Sequence, residues 1–179
     1  EVAEYQHSEK QLFDFNFQPT LPHKLSQYTP GIAVSDVNND GLEDFYIGGN
    51  DQQPGVFMIQ DIEGNFRTET RINTSIPPIQ QEIGLLFFDA DGDNDEDLYV
   101  VSGGIEADAG DTAYLDRLYL NDGSGFFQHQ AGALPNIRKS GSCVKAADLD
   151  NDGDLDLFIG TRTKPGDYPF SESSHILIN

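Results

Sequence analysis

Apolar positions along this chain fall in short runs separated by polar, glycine-rich stretches. The runs are "GIAVS" from Gly31, "FYIGG" from Phe45, "GVFMIQ" from Gly55, "GLLFF" from Gly84, "LYVVSGG" from Leu98, "DRLYLN" from Asp116, "CVKAA" from Cys143, "LFIGT" from Leu157 and "HILIN" from His175. Segments this short, rich in Val, Ile, Leu, Phe and Tyr and bounded by Gly, Asn and Asp, predict β-strands. No stretch carries the apolar period of a helix of ordinary length. Gly64 in "DIEGNF" and Gly125 in "DGSGFF" stand where hairpin turns need positive φ. Near the start, the alternation of Phe13, Phe15 and Phe17 in "FDFNF" predicts one more strand, and "TLPHKLSQYTP" reads as a connector.

The runs repeat as a unit. "DVNNDGLED" from Asp36, "DADGDNDED" from Asp89 and "DLDNDGDLD" from Asp148 align without gaps, 53 and 59 residues apart, each between two of the apolar runs. Each unit reads as strand, acidic loop, strand, connection, strand, Gly turn, strand. Four antiparallel strands in a unit of this size describe an all-β fold of propeller blades. The expected division is an N-terminal strand and connector (1–30), then blades over 31–83, 84–142 and an incomplete 143–179. Three blades do not close a ring of four to eight. The chain is therefore expected to be a partial propeller, its other partners including the remaining blades of a parent protein.

The acidic loops raise a chemical question, because five aspartates in nine positions (148–156) repel one another unless a cation joins them. Oxygen-bearing side chains recur on alternate positions, pointing inward in a tightly turning loop. Positions one, three, five and nine are Asp36, Asn38, Asp40 and Asp44; Asp89, Asp91, Asp93 and Asp97; and Asp148, Asp150, Asp152 and Asp156. Position seven (Leu42, Asp95 or Asp154) offers its backbone carbonyl. Position six is Gly41, Asn94 or Gly153, residues that tolerate a left-handed turn. An all-oxygen set rich in carboxylates, without His or Cys, suits Ca²⁺ better than Mg²⁺, so about three calcium ions are expected. An EF-hand is excluded because position twelve is Ile47, Val100 or Ile159, inside a strand, where that motif requires Glu between helices.

Composition narrows the setting. The chain has 179 residues, with 10 Lys and Arg against 31 Asp and Glu and a net charge of -21. So acidic a surface argues against nucleic acid and against anionic lipid, while 37% hydrophobic content suffices for a core. No run approaches the roughly 20 apolar residues of a membrane span, so membrane insertion is not expected. The lone cysteine, Cys143, excludes an internal disulfide and is expected to be a small buried apolar residue. The chain opens on Glu1 with no visible leader, as in a processed or excised segment. Sites binding near 10 µM in about 1 mM calcium each contribute about 2.7 kcal/mol; in cytosol they would stand mostly empty. An extracellular or cell-surface, secreted location is therefore expected.

The pattern "GIAVSDVNNDGLEDFYIGG" followed by "RLYLNDGSGFF" resembles the FG-GAP or VCBS repeat of integrin α-subunit propellers and bacterial surface proteins, over about Gly31 to Asn179. The resemblance implies a β-propeller with structural calcium held between the first two strands of each blade, and ligands bound elsewhere. Asn94 in place of glycine departs mildly from it.

Since each calcium loop closes one end of its strands, the connections 50–54, 103–114 and 162–174 must emerge at the other. The last carries Arg162, Lys164, Tyr168 and Phe170, charge and aromatic surface suited to a glycan or an extracellular protein. The expected function is a calcium-stabilised binding or adhesion module; the alternative is part of a calcium-dependent polysaccharide lyase. No catalytic motif is present: His7, His23, His129 and His175 are scattered, with no H-E-x-x-H, G-x-S-x-G or P-loop, so the chain is not expected to be an enzyme. Asn73–Thr74–Ser75 matches a glycosylation sequon.

Overall fold

The computed structural model describes residues 5–8, 12–28, 30–72 and 81–179; the Asn73–Ser75 sequon lies outside them. Among these residues the fold is nearly all β. The first sheet runs β1 (Ile32–Ser35), β2 (Asp44–Ile47), β3 (Val56–Gln60) and β4 (Phe66–Glu69), in sequence order and antiparallel. The second repeats it with β5 (Gln81–Phe88), β6 (Asp97–Gly103), β7 (Arg117–Asn121) and β8 (Phe127–His129). The third has three strands, β9 (Gly141–Ala147), β10 (Asp156–Thr161) and β11 (His175–Leu177). Such meanders are open blade-like sheets, not a closed barrel. Each acidic loop joins the first two strands of its sheet, with Ser35 opposite Asp44, Phe88 opposite Asp97 and Ala147 opposite Asp156.

The core lies between sheets, since every strand alternates its side chains across two faces. Sheets one and two meet through Ala33, Tyr46, Phe57, Ile59, Phe87, Leu98, Val100, Tyr119 and Phe127. Phe57 and Phe127 stack at 4.9 Å, and burying each ring contributes about 2 kcal/mol. Sheets two and three meet through Phe88, Tyr99, Val101, Val144, Leu157 and Ile159. Backbones approach closely at both seams. A Cβ on Gly48 would stand 2.5 Å from the Glu82 carbonyl oxygen, and one on Gly103 would stand 2.5 Å from that of Gly141.

Two predicted features differ. "FDFNF" is a four-residue helix, α1 (Asp14–Phe17), not a strand, and Phe13, Phe15 and Phe17 are exposed. Its fully buried residue is Asp14, which accepts hydrogen bonds from Leu25 N (2.5 Å), Ser26 N (2.9 Å) and Ser26 Oγ (2.6 Å). One buried carboxylate gathering three donors outweighs the phenylalanine alternation. Cys143 is exposed rather than buried; it lies on β9, an edge strand, one residue before the buried Val144.

In the second sheet the Tyr99 hydroxyl donates to Asp116 Oδ2 (3.0 Å) and Ser102 N donates to Oδ1 (2.8 Å). Burial pushes this carboxyl up to about 7, with the Ser102 and Tyr99 bonds pulling the other way. An acid whose folded pKa lies above its unfolded value of about 4 holds its proton in the fold, so stability falls as pH rises from about 4 to about 7. Burial raises Glu106 to about 7 as well, with the same sign. Asp116→Asn is expected to flatten part of that fall, read by urea unfolding across this range without divalent cations. An unchanged slope would contradict the assignment.

Candidate metal centres

Each acidic loop is a nest of side-chain-to-backbone hydrogen bonds. The first aspartate caps the turn: Asp36 Oδ2 accepts from Gly41 N (2.7 Å), Asp89 Oδ2 from Asn94 N (3.0 Å) and Asp148 Oδ2 from Gly153 N (3.3 Å). The fifth accepts from the seventh backbone N–H, at 2.9 Å for Asp40, 2.9 Å for Asp93 and 3.0 Å for Asp152. Position six is left-handed in all three, with φ of 85° at Gly41, 70° at Asn94 and 105° at Gly153, so asparagine serves as glycine does. Position four is left-handed too, at Asn39, Gly92 and Asn151. Its Asn–Gly–Asn series was the signal in the sequence.

The ninth aspartate closes the site. Asp44, Asp97 and Asp156 open the second strand of their sheets and are at most 1% exposed. Asp97 Oδ1 accepts from Asn121 N and Oδ2 from Ala90 N, both at 2.8 Å. Asp156 repeats this with Asn179 N (3.0 Å) and Leu149 N (2.8 Å). Asp44 Oδ1 accepts from Gln60 N (2.8 Å); the Val37 N–H faces the same carboxylate without closing a full hydrogen bond, so its buried Oδ2 is under-satisfied.

Carboxylate oxygens of Asp89, Asp91 and Asp97 lie within 4.8 Å of one another, as do those of Asp148, Asp150 and Asp156. Positions one, three and nine are thus brought together in two loops. Asp93 and Asp152 at position five, and Asp95 and Asp154 at position seven, stand outside those groups. The first loop has Asp36, Asn38 and Asp44 at the equivalent places.

The electrostatics follow. Burial pushes the Asp97 carboxyl up to about 6, with Asp91 and Asp93 adding to it and the Asn121 and Ala90 N–H groups opposing. Burial raises Asp44, with the Gln60 and Val37 N–H groups opposing and Asp40 and Asp36 adding to it. Asp91 is raised by desolvation and then by Asp93; Asp150 likewise, then by Asp152. Converging carboxylates that resist ionisation, and an under-satisfied buried carboxylate oxygen, are what a hard cation relieves.

A family profile described as FG-GAP-like repeat matches residues 36–100 and 101–159. The chain belongs to the FG-GAP-like repeat family. The first match of this repeat protein spans acidic loops one and two, and the second ends three residues past loop three. No curated protein matches it. Its blade-like sheets and FG-GAP repeats make a β-propeller-like module.

The last connection of the FG-GAP chain packs against its N-terminal segment. The Arg162 guanidinium lies 4.2 Å from the Tyr28 ring centroid, and Tyr168 packs against the cluster of Leu21, Leu25 and Ile105. Lys164 Nζ pairs with Asp167 at 2.9 Å. Phe170 is 66% exposed. Arg162 also lines, with Tyr28, Ile105, Ser140 and Thr163, a cavity of about 280 Å³.

Proposed function

We propose that this FG-GAP repeat protein is a calcium-stabilised, extracellular or cell-surface binding module. The single observation that carries this reading is the convergence of carboxylates at positions one, three and nine, in loops that also bury the ninth. Asp89, Asp91 and Asp97 would hold one ion, and Asp148, Asp150 and Asp156 another. Asp36, Asn38 and the under-satisfied Asp44 Oδ2 would hold a third. The ion supplies positive charge that lets the strands on either side of each loop close; the chain itself supplies rigid oxygens and no acid–base chemistry. A glycan or extracellular protein would be received at the opposite end of the sheets. There Phe170 stands open, and Tyr28 and Arg162 line the cavity.

Calorimetric titration with Ca²⁺ tests the reading, with about three ions expected per chain. Asp152→Ala is expected to weaken one site about as much as losing an ion's contribution, because Asp152 both shapes its loop and adds charge. Asp154→Asn should change affinity less than twofold, since position seven contributes its carbonyl. Equal losses from the two substitutions would contradict the roles given to positions five and seven, and no heat of binding would defeat the calcium reading altogether.

A further inference from the structure

Asn121 joins two neighbouring acidic loops. Its backbone N–H donates to Asp97 Oδ1 in loop two (2.8 Å), and its Nδ2 donates to the Val37 carbonyl in loop one (2.8 Å) and to the Glu96 carbonyl (3.2 Å). Its Oδ1 accepts from Gly123 N (3.2 Å) and Gly125 N (2.9 Å), closing the hairpin turn. The residue is 7% exposed. Asn179 occupies the same place one sheet on: its N–H donates to Asp156 Oδ1 in loop three (3.0 Å) and its Nδ2 to the Ala90 carbonyl in loop two (3.2 Å). Val37 and Ala90 are both the second residue of their loops. Loops one and two share a further bond, Asn39 Nδ2 to Asp95 Oδ1 at 2.7 Å.

We propose that Asn121 and Asn179 are positioning residues that couple adjacent cation sites, so that filling one tightens the next. The proposal rests on the calcium reading. Asparagine suits the place because it needs a donor to reach the preceding loop and an acceptor to close its own turn; aspartate has no such donor. Ordering loop two fixes Asp97, and with it Asn121 and the carbonyl near the start of loop one. Part of the freedom that loop one gives up on binding has then already been lost. Coupling through such a link is reciprocal and typically reaches about fivefold or more.

A double-mutant cycle on the full chain, read by Ca²⁺ calorimetry, tests this. Emptying loop one with Asp36→Ala is expected to weaken the remaining sites by about fivefold. On an Asn121→Asp background the same substitution is expected to weaken them by clearly less, with ion binding retained. Loss of long-range charge is common to both backgrounds and cancels in the comparison. The mirror cycle, Asp89→Ala with and without Asn179→Asp, carries the test at an exposed residue. Equal weakening in both backgrounds, or none in either, overturns the coupling while the calcium reading stands. Absence of Ca²⁺ binding in the unsubstituted chain overturns both.

Discussion

Removing divalent cations with EDTA is expected to lower the melting temperature by about 20 °C relative to 1 mM Ca²⁺. The size follows from mass action. Three sites near 10 µM contribute about 2.7 kcal/mol each, or about 8 kcal/mol together, against 5–15 kcal/mol for a whole domain. At this chain length each kcal/mol moves the midpoint by about 2–4 °C. The direction follows from the loops, where burial first, and neighbouring carboxylates second, raise the pKa of Asp97 and Asp44. Calorimetric melts of one preparation with Ca²⁺, Mg²⁺ or EDTA would read it. A shift under 5 °C would show that the clusters tolerate their own charge.

Asp97→Ala is expected to destabilise the protein by about 3 kcal/mol or more even in EDTA, where no ion contributes. The substitution strands two N–H donors, Ala90 and Asn121, that have been bonding Oδ1 and Oδ2. An unsatisfied buried donor costs about 1–3 kcal/mol. At about 2–4 °C per kcal/mol, the melting midpoint should drop by about 10 °C without calcium and further with it. Asp91→Ala provides the contrast, because Asp91 is exposed and gathers at the site without holding another strand. Its cost is expected only when calcium is present. Equal losses in EDTA would show that the ninth aspartate serves the ion alone.

Much of the fold was legible because the short apolar runs and the repeated loop are local properties. Short apolar runs bounded by glycine and polar residues marked the strands, and Gly64 and Gly125 take the positive φ, 80° and 83°, that their hairpin turns demand. The left-handed Gly41, Asn94 and Gly153 were readable for the same reason, since a residue's tolerance of φ is written in its own side chain. The "FDFNF" segment misled because its apolar alternation is just as local, yet a donor cluster eleven and twelve residues away, at Leu25 and Ser26, captured Asp14. Cys143 misled because its exposure depends on which face of β9 has a neighbouring sheet.

The sequence by itself determined the strand order within each unit, the three acid-rich loops and the oxygen-only chemistry they offer. Only the tertiary structure decided which aspartates converge, that the ninth bonds the third strand of its own sheet, and that Asn121 and Asn179 reach across to the loop before. The reason is distance along the chain: Asn121 and Val37 stand 84 residues apart. No pattern in either segment encodes a hydrogen bond that exists only once two sheets have packed face to face.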